Sequence, residues 1–504
     1  MRSILSAFAT LALAALPLAA GADPGDTELV SVHYAPATTY HPAYTRGISG
    51  DGRFVLFASS SPAFLPPATP TGINHLLVRD RSAGRTALAS LSATGRPVDA
   101  FFADLSADGR YVAFQSYDAE VVAGDANGHL DIFLRDLQAG TTELVSVSSA
   151  GRQYTWTMDP DVSADGRYVA FWGDGQKVYL RDRLTRQTHE RDVPGLRGPV
   201  LVSDDGRYLA YSNYERLLVH DRSTNRNDLV NVNAAGQRAN DHCYLADLSA
   251  DGRYVLFVSR ASNLVAGDTN GTYDVFIRDR ALRRTERVSV TNDGKQFSLI
   301  GIYVNPRMSA DGRYVAFSAL TRSLPGRAIE DVFRRDRAKG TTWLASANSA
   351  GVKANGGSVS PQVSDDGRYV AFTSDATNLS PADPDAYPDA YVHEFWAPAL
   401  SSPLVLSPGA LYFGTVSVGT TSATQTARLT NTDTAAHPVG YIRLADADSN
   451  FTLAIRCPGT LAAGASCPLE VAFRPQSAGA KSARLVVKTP DGVRQAVALK
   501  GTGR

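Results

Sequence analysis

One nine-residue phrase returns seven times along the chain, and that recurrence constrains the fold more than any other feature. It reads SGDGRFVLF from Ser49, SADGRYVAF from Ser106 and Ser163, and SDDGRYLAY from Ser203. It continues as SADGRYVLF from Ser249, SADGRYVAF from Ser309 and SDDGRYVAF from Ser364. The starts lie 57, 57, 40, 46, 60 and 55 residues apart. A unit of that length cannot bury a hydrophobic face alone, and four short strands per unit make the blade of a β-propeller.

Each unit divides by its periodicity. A short segment ending at the Ser is the inner strand, Asp-Gly-Arg is a turn, and Tyr-Val-Ala-Phe alternates as the second strand. A third follows, as in DIFLRD at 131–136 and DVFIRD at 274–279, and a fourth, as in TTELVSV at 141–147 and RTERVSV at 284–290. The seventh unit runs from AYVHEF at 390–395 into a Pro- and Ser-rich stretch without a fourth strand. TELVSV at 27–32 repeats TTELVSV almost letter for letter. The N-terminal strand is therefore expected to complete the last blade and close a seven-membered ring, an open or eight-bladed array being the alternative. Closure removes the free strand edges that invite aggregation.

SADGRYVAF followed downstream by DIFLRD resembles the TolB-type, WD-like propeller repeat of bacterial exported proteins. The likeness covers about 27–396 and is to the repeat alone, since the chain lacks room for the separate N-terminal domain of TolB proper. The expected fold is all-β, a seven-bladed propeller followed by an immunoglobulin-like sandwich. The segment 397–403 reads as a linker. Over 404–504 the pattern changes to longer strands spaced as in an immunoglobulin-like domain. The phrases LSPGALYFGTVSVG, LTNT and FRPQSAG resemble the choice-of-anchor D domain, related to ASH-type modules.

The N-terminus carries Arg2, an apolar run over 4–20 and a small-x-small cleavage pattern at Ala20-Gly21-Ala22, so 1–22 reads as a signal peptide. No later stretch is apolar for long enough to span a bilayer. The expectation is export to the periplasm or the medium. Cys457 and Cys467, ten positions apart, can pair across a short loop in such an oxidising compartment, whereas Cys243 reads as a buried thiol. Lys+Arg and Asp+Glu are both 50, so no global field draws nucleic acid.

Chemistry is sparse. There is no Gly-x-Ser-x-Gly elbow, no phosphate loop and no His-Glu-x-x-His. The Asp and Arg of the repeats occur in nearly every unit, which suits turn chemistry and ion pairs between strands rather than a single active site. The loops that lead into the inner strands share one face and carry large residues: Tyr40, His41 and Tyr44, Phe101 and Phe102, Tyr154 and Trp156, His242 and Tyr244, Phe297 and Tyr303. This face is the candidate site for recognising a protein or glycan of the cell envelope or medium. Asp104, Asp161 and Asp247, two positions before the repeat Ser, are expected to make the channel mouth acidic. The alternative is a metal-dependent propeller lyase or hydrolase at that mouth, with His41 and His242 placed to contribute. No cofactor is firmly implied. Calcium is a candidate where Asp125, Asn127 and Asp131, and Asp268, Asn270 and Asp274, repeat the spacing Asp-x-Asn-Gly-x-x-Asp. Asp383, Asp385 and Asp389 form a looser relative.

Overall fold

The computed structural model describes residues 25–32, 42–65, 69, 72–213, 215–299, 305–324, 327–383, 385–395, 403–408, 410–445, 450–488 and 494–504. The segment 1–22 read above as a signal peptide, and most of the segment 397–403 read as a linker, lie outside these residues. Among them the chain is all-β, with one short 3₁₀ turn at Pro62–Phe64.

The repeat phrase forms the same turn in every blade. In the first, Ser49 Oγ donates to Asp51 Oδ1 (2.6 Å) and accepts from the Phe54 N–H (2.9 Å), while Asp51 accepts from the Arg53 N–H (2.9 Å). Gly52 takes φ +71°, where a side chain is strained. It also receives the ring of the neighbouring blade, for a Cβ there would lie 2.1 Å from Tyr369. The same interlock runs from Phe54 to Gly109 and on around to Tyr314 on Gly367, so all seven turns are keyed to a neighbour. The turn arginine then pairs with the acid that ends the third strand, as Arg253 with Asp279 (2.7 Å) and Arg313 with Asp336 (2.8 Å). A second arginine crosses from the next blade. Tyr254 is thereby held between Arg253 and Arg337, each guanidinium 4.8 Å from its ring.

Seven four-stranded antiparallel sheets result. Their second and third strands are apolar and buried, as in Tyr111–Ser116 and Asp131–Asp136, while outer strands such as Arg226–Leu229 face solvent. The core lies between blades, each apolar cluster drawing on two neighbours. In the seventh sheet Asp26–Leu29 pairs with Asp389–Glu394, with Thr27 opposite His393. Thr27 Oγ1 reaches the Ala347 carbonyl, as Thr285 reaches that of Val232 (2.6 Å), so the N-terminal strand makes the bond that an outer strand makes elsewhere.

Beyond the propeller, two four-stranded sheets form an immunoglobulin-like sandwich. Phe413, Leu429, Phe451, Val471, Phe473 and Leu485 fill the space between them. Cys457 and Cys467 are joined, their Cα atoms 5.1 Å apart. Arg443 meets Asp26 (2.8 Å), and Arg484 donates to the Gly25 carbonyl (2.8 Å), so the sandwich grips the strand that closes the ring. Among the described residues no helix is long and apolar enough to cross a membrane.

Candidate functional site

The inner strands are irregular where they enter the ring. Register shifts interrupt them at Thr45/Gly47, Phe101/Ala103, Met158/Asp161, Leu245/Asp247 and Val359/Gln362. An extra residue at such a bulge bends the strand and re-aims a side chain. Phe102, Asp159 and Ser360, at three of these shifts, adopt positive φ of 33°, 50° and 54°, and Asn305, just before the sixth inner strand, takes 36°. Holding a non-glycine residue there costs on the order of 1–3 kcal/mol. All four line one cavity of about 830 Å³ over the centre of the ring.

The cavity wall mixes aromatic and charged groups. Phe101, Phe102 and Tyr244 face it, together with Arg46. Arg46 makes no ion pair among the described residues, and burial lowers its pKa. Phe102 is 58% exposed. Trp156 stands at the strand entrance, 39% exposed, and packs edge-on against Trp172 at 5.0 Å. The Trp172 Nε1–H donates to Asp159 Oδ2 (2.9 Å), tying the rim to a strained residue. Tyr44 is 37% exposed at the start of its strand. Tyr117, 63% exposed with its ring 6.5 Å from Phe101, extends the aromatic rim. It heads a loop between second and third strands, the other loop set on this face, where no aromatic recurs at the same position from blade to blade.

Other expectations are corrected or lie out of view. Tyr154 is 1% exposed, its ring lies 4.2 Å from that of Tyr179 at a tilt of 39°, and it donates to Glu190 Oε1 (2.7 Å), so it packs within the blade. Phe297 lies against Phe317 and Phe333 in the core. His242 is exposed but does not line the cavity, and no histidine does among the described residues. Tyr40, His41 and Tyr303 lie outside the described residues. Cys243 is buried, with Ser259 Oγ 3.3 Å from its sulfur.

Of the acids before the repeat Ser, Asp104 and Asp161 line the cavity, and all three line the narrower space beneath it. Asp104, Asp161 and Asp247 each accept a backbone N–H from the next inner strand, at Val162 (2.9 Å), Val202 (2.7 Å) and Met308 (2.7 Å). They brace neighbouring blades around Arg307, which itself donates to the Ala246 carbonyl (3.1 Å). Burial pushes the Asp247 carboxyl up to about 6 against the pull of Arg307, and burial with the charge of Asp104 raises Asp161. Beneath this ring a narrower space of about 140 Å³ continues down the channel past Asp204 and Asp365.

The proposed calcium loops differ from one another. In the fifth blade Arg287 Nη1 lies 3.3 Å from Asp268 Oδ1 and 3.8 Å from Asp274 Oδ2, while Asn270 donates to Asp274 (3.0 Å). That loop carries its own cation, Arg287, beside the two carboxylates proposed as calcium ligands. In the second blade Asn127 accepts from the His129 N–H (2.8 Å) and donates to the Tyr154 carbonyl (2.8 Å). In the seventh, Asp383, Asp385 and Asp389 bring carboxylate oxygens within 4.8 Å of one another.

Residues 402–497 match the ASH family, described as Abnormal spindle-like microcephaly-assoc'd, ASPM-SPD-2-Hydin. No curated protein matches the chain. Among solved structures, the β-propeller domain of the Trilobed protease from Pyrococcus furiosus is similar at 10% identity and TM-score 0.46, over 70% of this chain and 95% of that one. The oligogalacturonate lyase of Vibrio parahaemolyticus is similar at 12% identity and TM-score 0.46, over 73% and 97%. A putative TolB from Agrobacterium tumefaciens is similar at 15% identity and TM-score 0.32, over 52% and 96%. Architecture alone does not choose between binding and catalysis.

Proposed function

We propose that this chain is an exported, non-enzymatic binding or scaffold protein that takes a segment of a protein or glycan into the propeller funnel. The observation that carries the reading is the gathering of four strained residues in or just before inner strands, Phe102, Asp159, Asn305 and Ser360, around one cavity. Strain of this kind clusters at ligand clamps, and a cavity of about 830 Å³ falls in the range of roughly 300–1,000 Å³ usual for ligand sites. Exposed rings at the rim suit stacking on sugars or apolar side chains, and Arg46 offers a donor for a polar group. The leader-like N-terminus and the Cys457–Cys467 bond support export. We read the domain limits as 27–396 and 404–504, and the second module as of choice-of-anchor D type on the phrases LSPGALYFGTVSVG and FRPQSAG.

Glycan-array screening and capture from envelope extracts would supply the ligand. Changing Phe102, Trp156 and Tyr244 together to Ala should weaken its binding by at least about 30-fold, the scale of a lost anchor cluster. The melting temperature of the variant, measured alongside, separates a lost site from a lost fold. Every interaction surviving in a folded variant would overturn the reading.

A further inference from the structure

The third strand opens on an aspartate in three blades, at Asp131, Asp274 and Asp389, and in the sixth Asp331 holds the matching position within the longer strand Arg327–Asp336. All four are buried, and each uses Oδ1 to accept a serine hydroxyl, from Ser146, Ser289, Ser346 and Ser31 respectively. What the second oxygen meets differs. In the fifth blade Asp274 Oδ2 faces Arg287, which also touches Asp268, so one cationic nitrogen serves both carboxylates. In the sixth, Lys353 Nζ lies 2.6 Å from Asp331 Oδ2.

The second blade has the acids without the cation. Leu144 holds the strand position of Arg287, opposite Phe133 as Arg287 is opposite Phe276. Gln153 holds the loop position of Lys353, bridged to Val147 as Lys353 is to Ala347. Asp131 is 0% exposed, and its Oδ2 is buried without a hydrogen-bond partner. Asp125 Oδ1, the counterpart of the Asp268 oxygen on Arg287, is buried and unpartnered too. No ion pair reaches either acid among the described residues, and His129 in the same loop is exposed. Burial, with the charge of Asp125, pushes the Asp131 carboxyl up to about 6. Two carboxylate oxygens withdrawn from water, with only the Asn127 amide and the exposed His129 beside Asp131 and no Arg or Lys, are costly unless a cation joins them.

We infer that the second blade binds a calcium ion between Asp125 and Asp131, where the fifth and sixth blades carry an arginine and a lysine. The donors are hard oxygens on a flexible glycine-containing loop, which suits calcium with water completing the shell. With only two protein carboxylates the affinity belongs to the weak class of extracellular sites, roughly 10⁻⁴–10⁻³ M.

The test uses the full chain stripped with chelator. Calcium at 10 mM should raise the melting temperature by about 2 °C, and magnesium by less. Leu144→Arg installs the cation of the fifth blade, and Gln153→Lys that of the sixth. Either should raise the melting temperature of the calcium-free protein and remove the part of the calcium response that belongs to this site. Asp131→Asn should remove the same part without adding a cation. A melt indifferent to calcium would overturn the inference, because it would mean that protonation or water alone serves the pair. So would a calcium response kept in full by the folded variants, which would assign the ion to another site such as Asp383, Asp385 and Asp389.

Discussion

Single residues set both the regularity of the ring and its departures from regularity. The Ser-x-Asp-Gly-Arg turn was legible as a turn because Asp and Gly favour it wherever they occur. Its second role was not, since the ring that fills the space over Gly312 comes from Tyr254, nearly sixty positions away. The same limit hid the work of Asp104, Asp161 and Asp247. Their spacing before each Ser was visible, yet only the closed ring shows that each carboxylate caps the amide of the next strand. Their titration follows from that placement. The Asp247 carboxyl is raised in the folded protein, so the fold binds its proton more tightly than the unfolded chain does. Stability from this group is therefore greatest at low pH and declines as pH climbs through about 6. Asp247→Asn keeps an oxygen for the Met308 N–H and removes the charge. Melting temperatures measured between pH 4 and 7 should fall less steeply for the variant, and an unchanged slope would mean that Asp247 ionises without cost.

At the scale of strands, alternation and repetition made most blades readable, because buried second and third strands are apolar in nearly every unit. The inner strands were harder. Their bulges depend on which residues face the channel, and no local signal marks Asp159 or Ser360 as a positive-φ site. Tyr154 and Trp156 show the same difficulty within one segment. Both are large aromatics two positions apart, but the chain turns one into the blade beside Tyr179 and leaves the other at the rim. The N-terminal strand is the element on which closure rests. Removing residues 25–32 would expose the Asp389–Glu394 edge and strip Ser31 from Asp389 and Thr27 from His393. The truncated chain should melt several degrees lower and aggregate on concentration, as read by scanning fluorimetry and light scattering. A truncated protein that stayed monomeric with an unchanged melt would show that the ring is held by its turn interlocks alone.

For the whole molecule, the two modules are coupled through Asp26. This acid lies on the closing strand and meets Arg443 and Arg484 of the sandwich. Asp26→Ala should separate the two thermal transitions, lowering the one that reports the propeller, whereas reducing Cys457–Cys467 should lower the sandwich transition. Calorimetry with and without reductant distinguishes them, and a single unaltered transition for Asp26→Ala would mean that the contact adds nothing to closure.

The topology of the last blade also has a mechanical consequence. The chain leaves the ring from Asp389–Glu394, which is paired on one side with Tyr369–Ser374 and on the other with Asp26–Leu29. A pull applied through the sandwich thus enters the ring at a strand flanked by two ladders. Extracting it would require breaking both, so load is spread across the blade and is not concentrated on a free edge that could unzip one bond at a time.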